Sequence, residues 1–152
     1  MQHTEESMKK KHFFSFVIMV IMAIITLGGC ASLEEFLYGP SFPTTELVGT
    51  WNRGDIVIEL NNDVGVFTQI NPNTKWHRVQ NNGEIHIGDQ KIRNIRKTGD
   101  LTWTAQDLTF YEDTFTIKGW LDCTITMNPR GNYIRIITPG ATNPDNTYSR
   151  VR

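Results

Sequence analysis

The sequence has little cysteine, little net charge and none of the short motifs that mark common catalytic sites. Its two cysteines allow no disulfide framework. Its formal net charge is −1, so it lacks the concentrated basic surface that neutralises phosphates, and we expect no nucleic-acid partner. It contains no HExxH, GxSxG, CxxC or phosphate-loop motif. We therefore expect no enzymatic activity, no cofactor and no metal.

Three small groups of polar residues are the nearest candidates for chemistry. Four basic residues alternate loosely along one segment and are interpreted as the solvated face of a strand: Lys91, Arg93, Arg96 and Lys97. Three acidic residues near turns are interpreted as solvated loop acids: Asp107, Glu112 and Asp113. Two exposed imidazoles, His77 and His86, could hold a metal together with Glu84, but we interpret them as surface histidines.

What the chain does contain is an opening segment with the three parts of an export signal. Lys9 to Lys11 are positive, and residues 13–27 are apolar apart from Ser15. A helix of 15 residues covers roughly 22 Å, which is short of the roughly 30 Å hydrocarbon core of a bilayer. Small residues follow at once. This pattern predicts a signal-peptide helix over residues 1–29, with an uncleaved signal anchor as the alternative.

The segment Leu27-Gly28-Gly29-Cys30 resembles the lipobox of bacterial lipoproteins. The resemblance implies that the Cys30 thiol receives a diacylglyceryl group, that cleavage makes Cys30 the first residue, and that its amine is acylated, for example with palmitate. Each buried methylene contributes about 0.8 kcal/mol, and stable anchoring takes more than one chain. In Gram-negative lipoproteins a residue other than Asp after the cysteine, here Ala31, points to the outer membrane. We therefore expect a lipid-anchored envelope protein facing the periplasm.

The mature chain divides into a lipidated tether, residues 30–45, and a folded domain, residues 46–152. Pro40 and Pro43 discourage helix in the tether. From residue 46 apolar and polar residues alternate with period two, and turn residues recur every 8–12 positions. Three of the strands that this alternation predicts carry Ile85 with Ile87, Phe115 with Ile117, and Leu121 with Cys123. This pattern predicts an all-β domain, an antiparallel meander barrel of about 8–10 short strands, with a two-layer sandwich as the alternative. Asn82-Gly83 predicts a type I′ hairpin that joins strands, and we expect no helix of useful length in the domain.

The motif Gly49-Thr50-Trp51 resembles the opening of lipocalins and other calycins. In those barrels the tryptophan closes the base, and a basic residue of the last strand packs over its ring. The resemblance implies that Trp51 and Arg150, or alternatively Arg152, fill these roles and lie within about 6 Å of each other. Because the chain is short and has no long helix before its last strand, a filled barrel is the alternative to a ligand-binding one.

The aromatic residues suggest where a ligand would bind. Trp103 alternates with polar neighbours and is expected in the core, as is Cys123. Three other rings are candidates to line the barrel mouth and to hold a small apolar ligand: Trp76, Trp120 and Tyr111. The alternative is a filled barrel that acts as an interaction or inhibitor module and meets another envelope protein through its outer surface.

Overall fold

A computed structural model describes residues 46–152, and the predicted signal peptide, Cys30 and the tether lie outside these residues. Eight strands follow one another: β1 (Gly49–Asn52), β2 (Ile56–Leu60), β3 (Gly65–Ile70), β4 (Gln90–Gly99), β5 (Thr102–Phe110), β6 (Ile117–Met127), β7 (Tyr133–Ile137) and β8 (Asp145–Arg150). Each strand pairs with the next, and β8 returns to pair with β1. The domain is therefore a closed antiparallel meander barrel, consistent with a lipocalin-like fold, and the prediction of an all-β barrel is confirmed.

The inward-facing side chains fill the barrel. Alternate positions of β2, β5, β6 and β7 are buried, as a period-two pattern requires. Trp51, Phe67 and Tyr148 are the largest side chains that are almost fully buried there. Trp103 and Cys123 are 3% and 5% exposed, so the prediction that both belong to the core is confirmed. The interior is thus a packed core of hydrophobic side chains.

A short helix, α1 (Lys75–Asn81), occupies part of the segment that was predicted as a hairpin. Thr74 caps it, since the Thr74 hydroxyl accepts a hydrogen bond from the His77 N–H at 3.2 Å. Trp76 and Val79, three positions apart, are buried on one face. Asn82 has φ −76°, whereas a type I′ turn needs positive φ at both central residues. The predicted Asn82-Gly83 hairpin is therefore wrong, and a helix of 7 residues stands where one of its strands was predicted.

Two strand predictions around this region are also wrong. Ile85 and Ile87 were expected on one strand, but β4 begins only at Gln90. Ile85 packs into the core at 1% exposure, whereas Ile87 is 51% exposed. Phe115 was expected inside a strand as well, but it has φ +53° and lies in the turn that precedes β6. The long strand β6 therefore replaces two shorter predicted ones.

The loops of the meander gather at the two ends of the barrel. The end that we call the mouth carries residues 53–55, 71–89, 111–116 and 138–144, and α1 lies among them. The opposite end, the base, carries residues 61–64, 100–101 and 128–132 and receives the chain at residues 46–48. Within residues 46–152, no helix is long and apolar enough to cross a membrane.

Candidate functional site: the barrel mouth and base

At the base, the structure brings Trp51 and Arg150 together. The two residues are opposite each other in the β1–β8 pairing, and the Arg150 guanidinium carbon lies 4.3 Å from the centre of the Trp51 ring. Trp51 is fully buried, and its indole N–H donates to the Leu47 carbonyl at 3.0 Å. Arg152, the alternative partner, is exposed beyond the end of β8. The cation therefore covers the indole where the first and last strands meet.

The Arg150 side chain also ties three chain segments together through backbone carbonyls. Its guanidinium donates to Gly131 O at 2.7 Å, Val48 O at 2.8 Å and Glu46 O at 3.0 Å. Gly49 has φ +145°, and a Cβ at this position would lie 2.8 Å from Arg150 Nη1. Any larger residue would combine backbone strain with a clash against the guanidinium. The spacing of glycine and tryptophan in the opening motif thus follows from the position of this arginine.

The mouth contains a small pocket with an open volume of about 50 Å³. Residues from three loops, three strands and α1 line it, among them Arg53, Trp76, Asp107 and Asn146. Trp76, on α1, is only 3% exposed. Its ring meets Phe110 edge-on at 4.6 Å and Phe67 at 5.2 Å between centroids. The helix therefore fills most of the mouth with an aromatic cluster, and polar and apolar groups border the remaining space in nearly equal measure.

Below the pocket lies a buried ion pair between Lys91 and Asp107, which are 2% and 4% exposed. The Lys91 ammonium also donates to Leu108 O at 2.8 Å and lies 5.0 Å from the centre of the Trp76 ring. The second Asp107 oxygen accepts from the hydroxyl of Thr138, which is fully buried. The interpretation of Lys91 and Asp107 as solvated residues is therefore wrong.

A β-bulge explains how Lys91 becomes buried. Gly65 pairs with Ile92 and Val66 pairs with Gln90, so Lys91 is the extra residue on β4. A bulge rotates the side chains that follow it relative to a regular strand and re-aims one of them. Here it directs Lys91 to the same side as Ile92, into the barrel. Asp107 needs no bulge, because it follows Trp103 and Ala105 at alternate positions on the inward face of β5.

Burial lowers the pKa of Lys91, because a low-dielectric interior disfavours the ammonium. The charge and hydrogen bond of Asp107 act in the opposite direction, while the nearby Arg53 cation adds to the lowering. The pair is therefore held by mutual attraction in a place where each charge alone would be unfavourable. Such groups below a pocket are a recognised sign of a functional site.

Two further ion pairs form the rim of the pocket. Arg53 donates from Nε and Nη2 to both Asp55 oxygens at 2.7 and 2.5 Å, and from Nη1 to Asn146 Oδ1 at 2.8 Å. Its guanidinium lies 5.4 Å from the centre of the Tyr148 ring. Lys75, on α1, pairs with Glu112. The formal charges around the mouth therefore balance, and Arg53 is held in one orientation.

Of the three rings proposed to hold a ligand, only Trp76 lines the mouth pocket. Tyr111 lies in the β5–β6 turn, is 49% exposed, and has the Lys118 ammonium 5.8 Å from its ring centre. Trp120 lies on the outer face of β6, half-buried beneath the Arg93 guanidinium at 4.2 Å. The structure thus places the three candidates on different surfaces.

The histidines near the mouth have separate partners. His77 Nδ1 accepts a hydrogen bond from the Asn73 N–H at 3.3 Å, and His86 lies 3.7 Å from the Asp89 carboxylate. The Glu84 carboxylate accepts from the Ile117 N–H at 3.2 Å. In the described part of the chain, no three histidine, cysteine or carboxylate side chains gather where they could hold a metal ion.

Comparison of the chain with protein-family models, curated proteins and solved structures finds no match. The function must therefore be argued from the residues of the base, the mouth and the outer surface.

Proposed function

We propose that this protein is a lipoprotein anchored through Cys30 in the bacterial cell envelope, at the outer membrane facing the periplasm. We further propose that its barrel is a recognition module for another envelope protein and not a carrier of apolar ligands. The anchor rests on the lipobox-like Leu27–Cys30 segment behind a charged and apolar leader. The recognition role rests on the filled barrel, whose mouth leaves about 50 Å³.

The mouth is poorly suited to an apolar carrier. Sites for drug-sized ligands typically enclose about 300–1,000 Å³ and are lined mostly by apolar groups. The mouth pocket is several-fold smaller, and Trp76 occupies the space beside it. An apolar molecule in the pocket would also cover the Arg53 and Lys75 charges without offering them hydrogen bonds. These features favour the filled-barrel alternative.

The outer surface offers side chains that suit a protein partner. Trp120 and Arg93 stack on the wall of the barrel, and Tyr111 and Tyr133 are 49% and 41% exposed. Tryptophan, tyrosine and arginine are enriched at protein interfaces and dominate their binding energy. We assign the contact to the wall around Trp120, because a half-buried indole under a guanidinium presents a rigid surface.

Thiol titration tests the anchor. In protein extracted from its own membrane, we expect no reactive thiol at neutral pH while the protein is folded and one thiol after unfolding. Cys123 is buried, and burial raises its pKa to about 12, so the folded thiol stays protonated and inaccessible. An unmodified Cys30 would instead give a second thiol.

The Cys123→Ala variant is the matched control for this titration. If Cys30 carries lipid, the unfolded variant shows no thiol at all. One titratable thiol in unfolded Cys123→Ala protein would contradict the anchor.

Site-specific crosslinking in cells tests the recognition module. A photo-reactive residue in place of Trp120 is expected to give one discrete protein adduct, whereas the same residue in place of Asn62, exposed at the base, gives none. Native mass spectrometry of the extracted protein is expected to show no bound apolar molecule. A stoichiometric co-purifying lipid, or crosslinking equal at both positions, would count against the proposal.

A further inference from the structure

We propose that the barrel mouth binds a small carboxylate, held by the Arg53 guanidinium and the Lys75 ammonium above the Lys91–Asp107 pair. This site is separate from the outer wall assigned to the protein partner. The site depends only on the folded domain, so a negative result for the lipid anchor or for the crosslinking would not contradict it.

The mouth has more hydrogen-bond donors than its own acceptors use. A guanidinium carries five N–H groups. Three of those on Arg53 have acceptors, two on Asp55 and one on Asn146. Among the described residues the other two have none, although the side chain is only 17% exposed. Lys75 adds further donors, since its contact with Glu112 uses one of three.

The acceptors in the same place are largely occupied. Both oxygens of Asp55 accept from Arg53, and both oxygens of Asp107 accept, one from Lys91 and one from Thr138. One oxygen of Glu112 accepts from Lys75. A ligand that only accepts hydrogen bonds therefore fits the mouth better than one that donates them. An ionised carboxylate is such a ligand, and it pairs with guanidinium through two parallel bonds.

The size and lining of the pocket limit the ligand to a short acid. A volume of about 50 Å³ corresponds to roughly three to five water positions, which matches an acid of about two to four carbons. Leu108, Phe110 and Ala141 line the same pocket and can contact a short hydrocarbon chain. Because the charges of the lining balance, a single negative charge is preferred over a multiply charged anion.

The arginine is held in place before any ligand arrives. Asp55 accepts hydrogen bonds from one edge of the guanidinium, Asn146 accepts one from Nη1, and the Tyr148 ring packs against its face. A ligand that meets such a fixed group loses little free energy to ordering the side chain. For a ligand of about six non-hydrogen atoms, we expect a Kd of about 1 mM.

Titration of the full-length protein with sodium butyrate tests the site, followed by NMR of the Arg53 side-chain Nε–H and the Trp76 indole. We expect saturable shifts of both signals with a Kd of about 1 mM. Lys75→Gln alters a half-exposed side chain, so it is expected to leave the fold intact and to weaken binding about threefold. Arg53→Gln should weaken binding at least tenfold.

Lys97→Gln, at the base, is the matched control and should leave the affinity unchanged. Absence of shifts at about 20 mM butyrate, well above the expected Kd, overturns the proposal. Equal binding by Lys75→Gln and Arg53→Gln overturns it as well. Phosphate that binds as tightly as butyrate overturns the assignment to a carboxylate.

Discussion

Replacing Lys91 by methionine is expected to lower the free energy of unfolding by about 3–5 kcal/mol. The substitution leaves the Asp107 carboxylate in the barrel interior at 4% exposure with the Thr138 hydroxyl as its remaining side-chain partner. An uncompensated buried charge must either stay unpaired or take up a proton, and both cost free energy. Urea unfolding followed by tryptophan fluorescence measures the loss.

The double variant Lys91→Met, Asp107→Leu distinguishes two causes of the stability loss: the lost attraction between the two charges, and the cost of leaving Asp107 unpaired in the interior. Replacement of a whole buried ion pair by apolar residues of similar volume is often neutral or stabilising. We therefore expect the second substitution to recover most of the loss. Lys75→Met is the control, because it breaks a half-exposed pair with Glu112 and should cost at most about 1 kcal/mol. A single Lys91→Met variant as stable as the wild type would contradict this account.

The outcome of the double variant bears on why the pair exists. If Lys91 and Asp107 add no stability together, their presence below the mouth needs a different reason. In the structure the pair forms the charged floor of the mouth pocket, next to the ring of Trp76. The double variant should then lose butyrate affinity while it keeps its fold, which connects the buried pair to the carboxylate site.

The barrel was predictable from the sequence, because strand periodicity is local. Alternation in β2, β5 and β7 places every second residue on the buried face, and no distant contact is needed to see it. The burial of Asp107 could have been predicted in the same way, since it continues the row of Trp103 and Ala105. Glu112 and Asp113 lie in the turn after β5, whereas Asp107 lies within the strand, so only the first two are loop acids.

The mouth was not predictable, because its features depend on distant pairing. In the sequence, Lys91 and Arg93 are two positions apart with Ile92 between them. A regular strand would therefore point both basic side chains outward and Ile92 inward. Only the offset between β3 and β4 turns Lys91 inward. The helix α1 has seven residues, which is too short for a clear periodic signal beside the strong turn pair Asn82-Gly83. The site thus arises where tertiary contacts override local patterns.

Replacing Trp51 by alanine is expected to cost about 3–5 kcal/mol, because the ring is fully buried and its removal leaves a cavity beneath Arg150. Trp51→Phe keeps much of the apolar volume and should cost less. Arg150→Ala should cost about 2 kcal/mol through the lost contact with the indole and the lost bonds to three carbonyls. Arg152→Ala, beyond the last strand, is the control and should change stability by less than about 0.5 kcal/mol.

A double-mutant cycle between Trp51→Phe and Arg150→Ala measures whether the contact between the two side chains itself contributes to stability. They are in contact at 4.3 Å across the pairing of the first and last strands, so we expect a coupling free energy of about 1 kcal/mol. Additive losses would mean that Arg150 stabilises the base only through the carbonyls of Glu46, Val48 and Gly131. Coupling would instead show that the stacked pair strengthens the backbone pairing of β8 with β1, which closes the barrel.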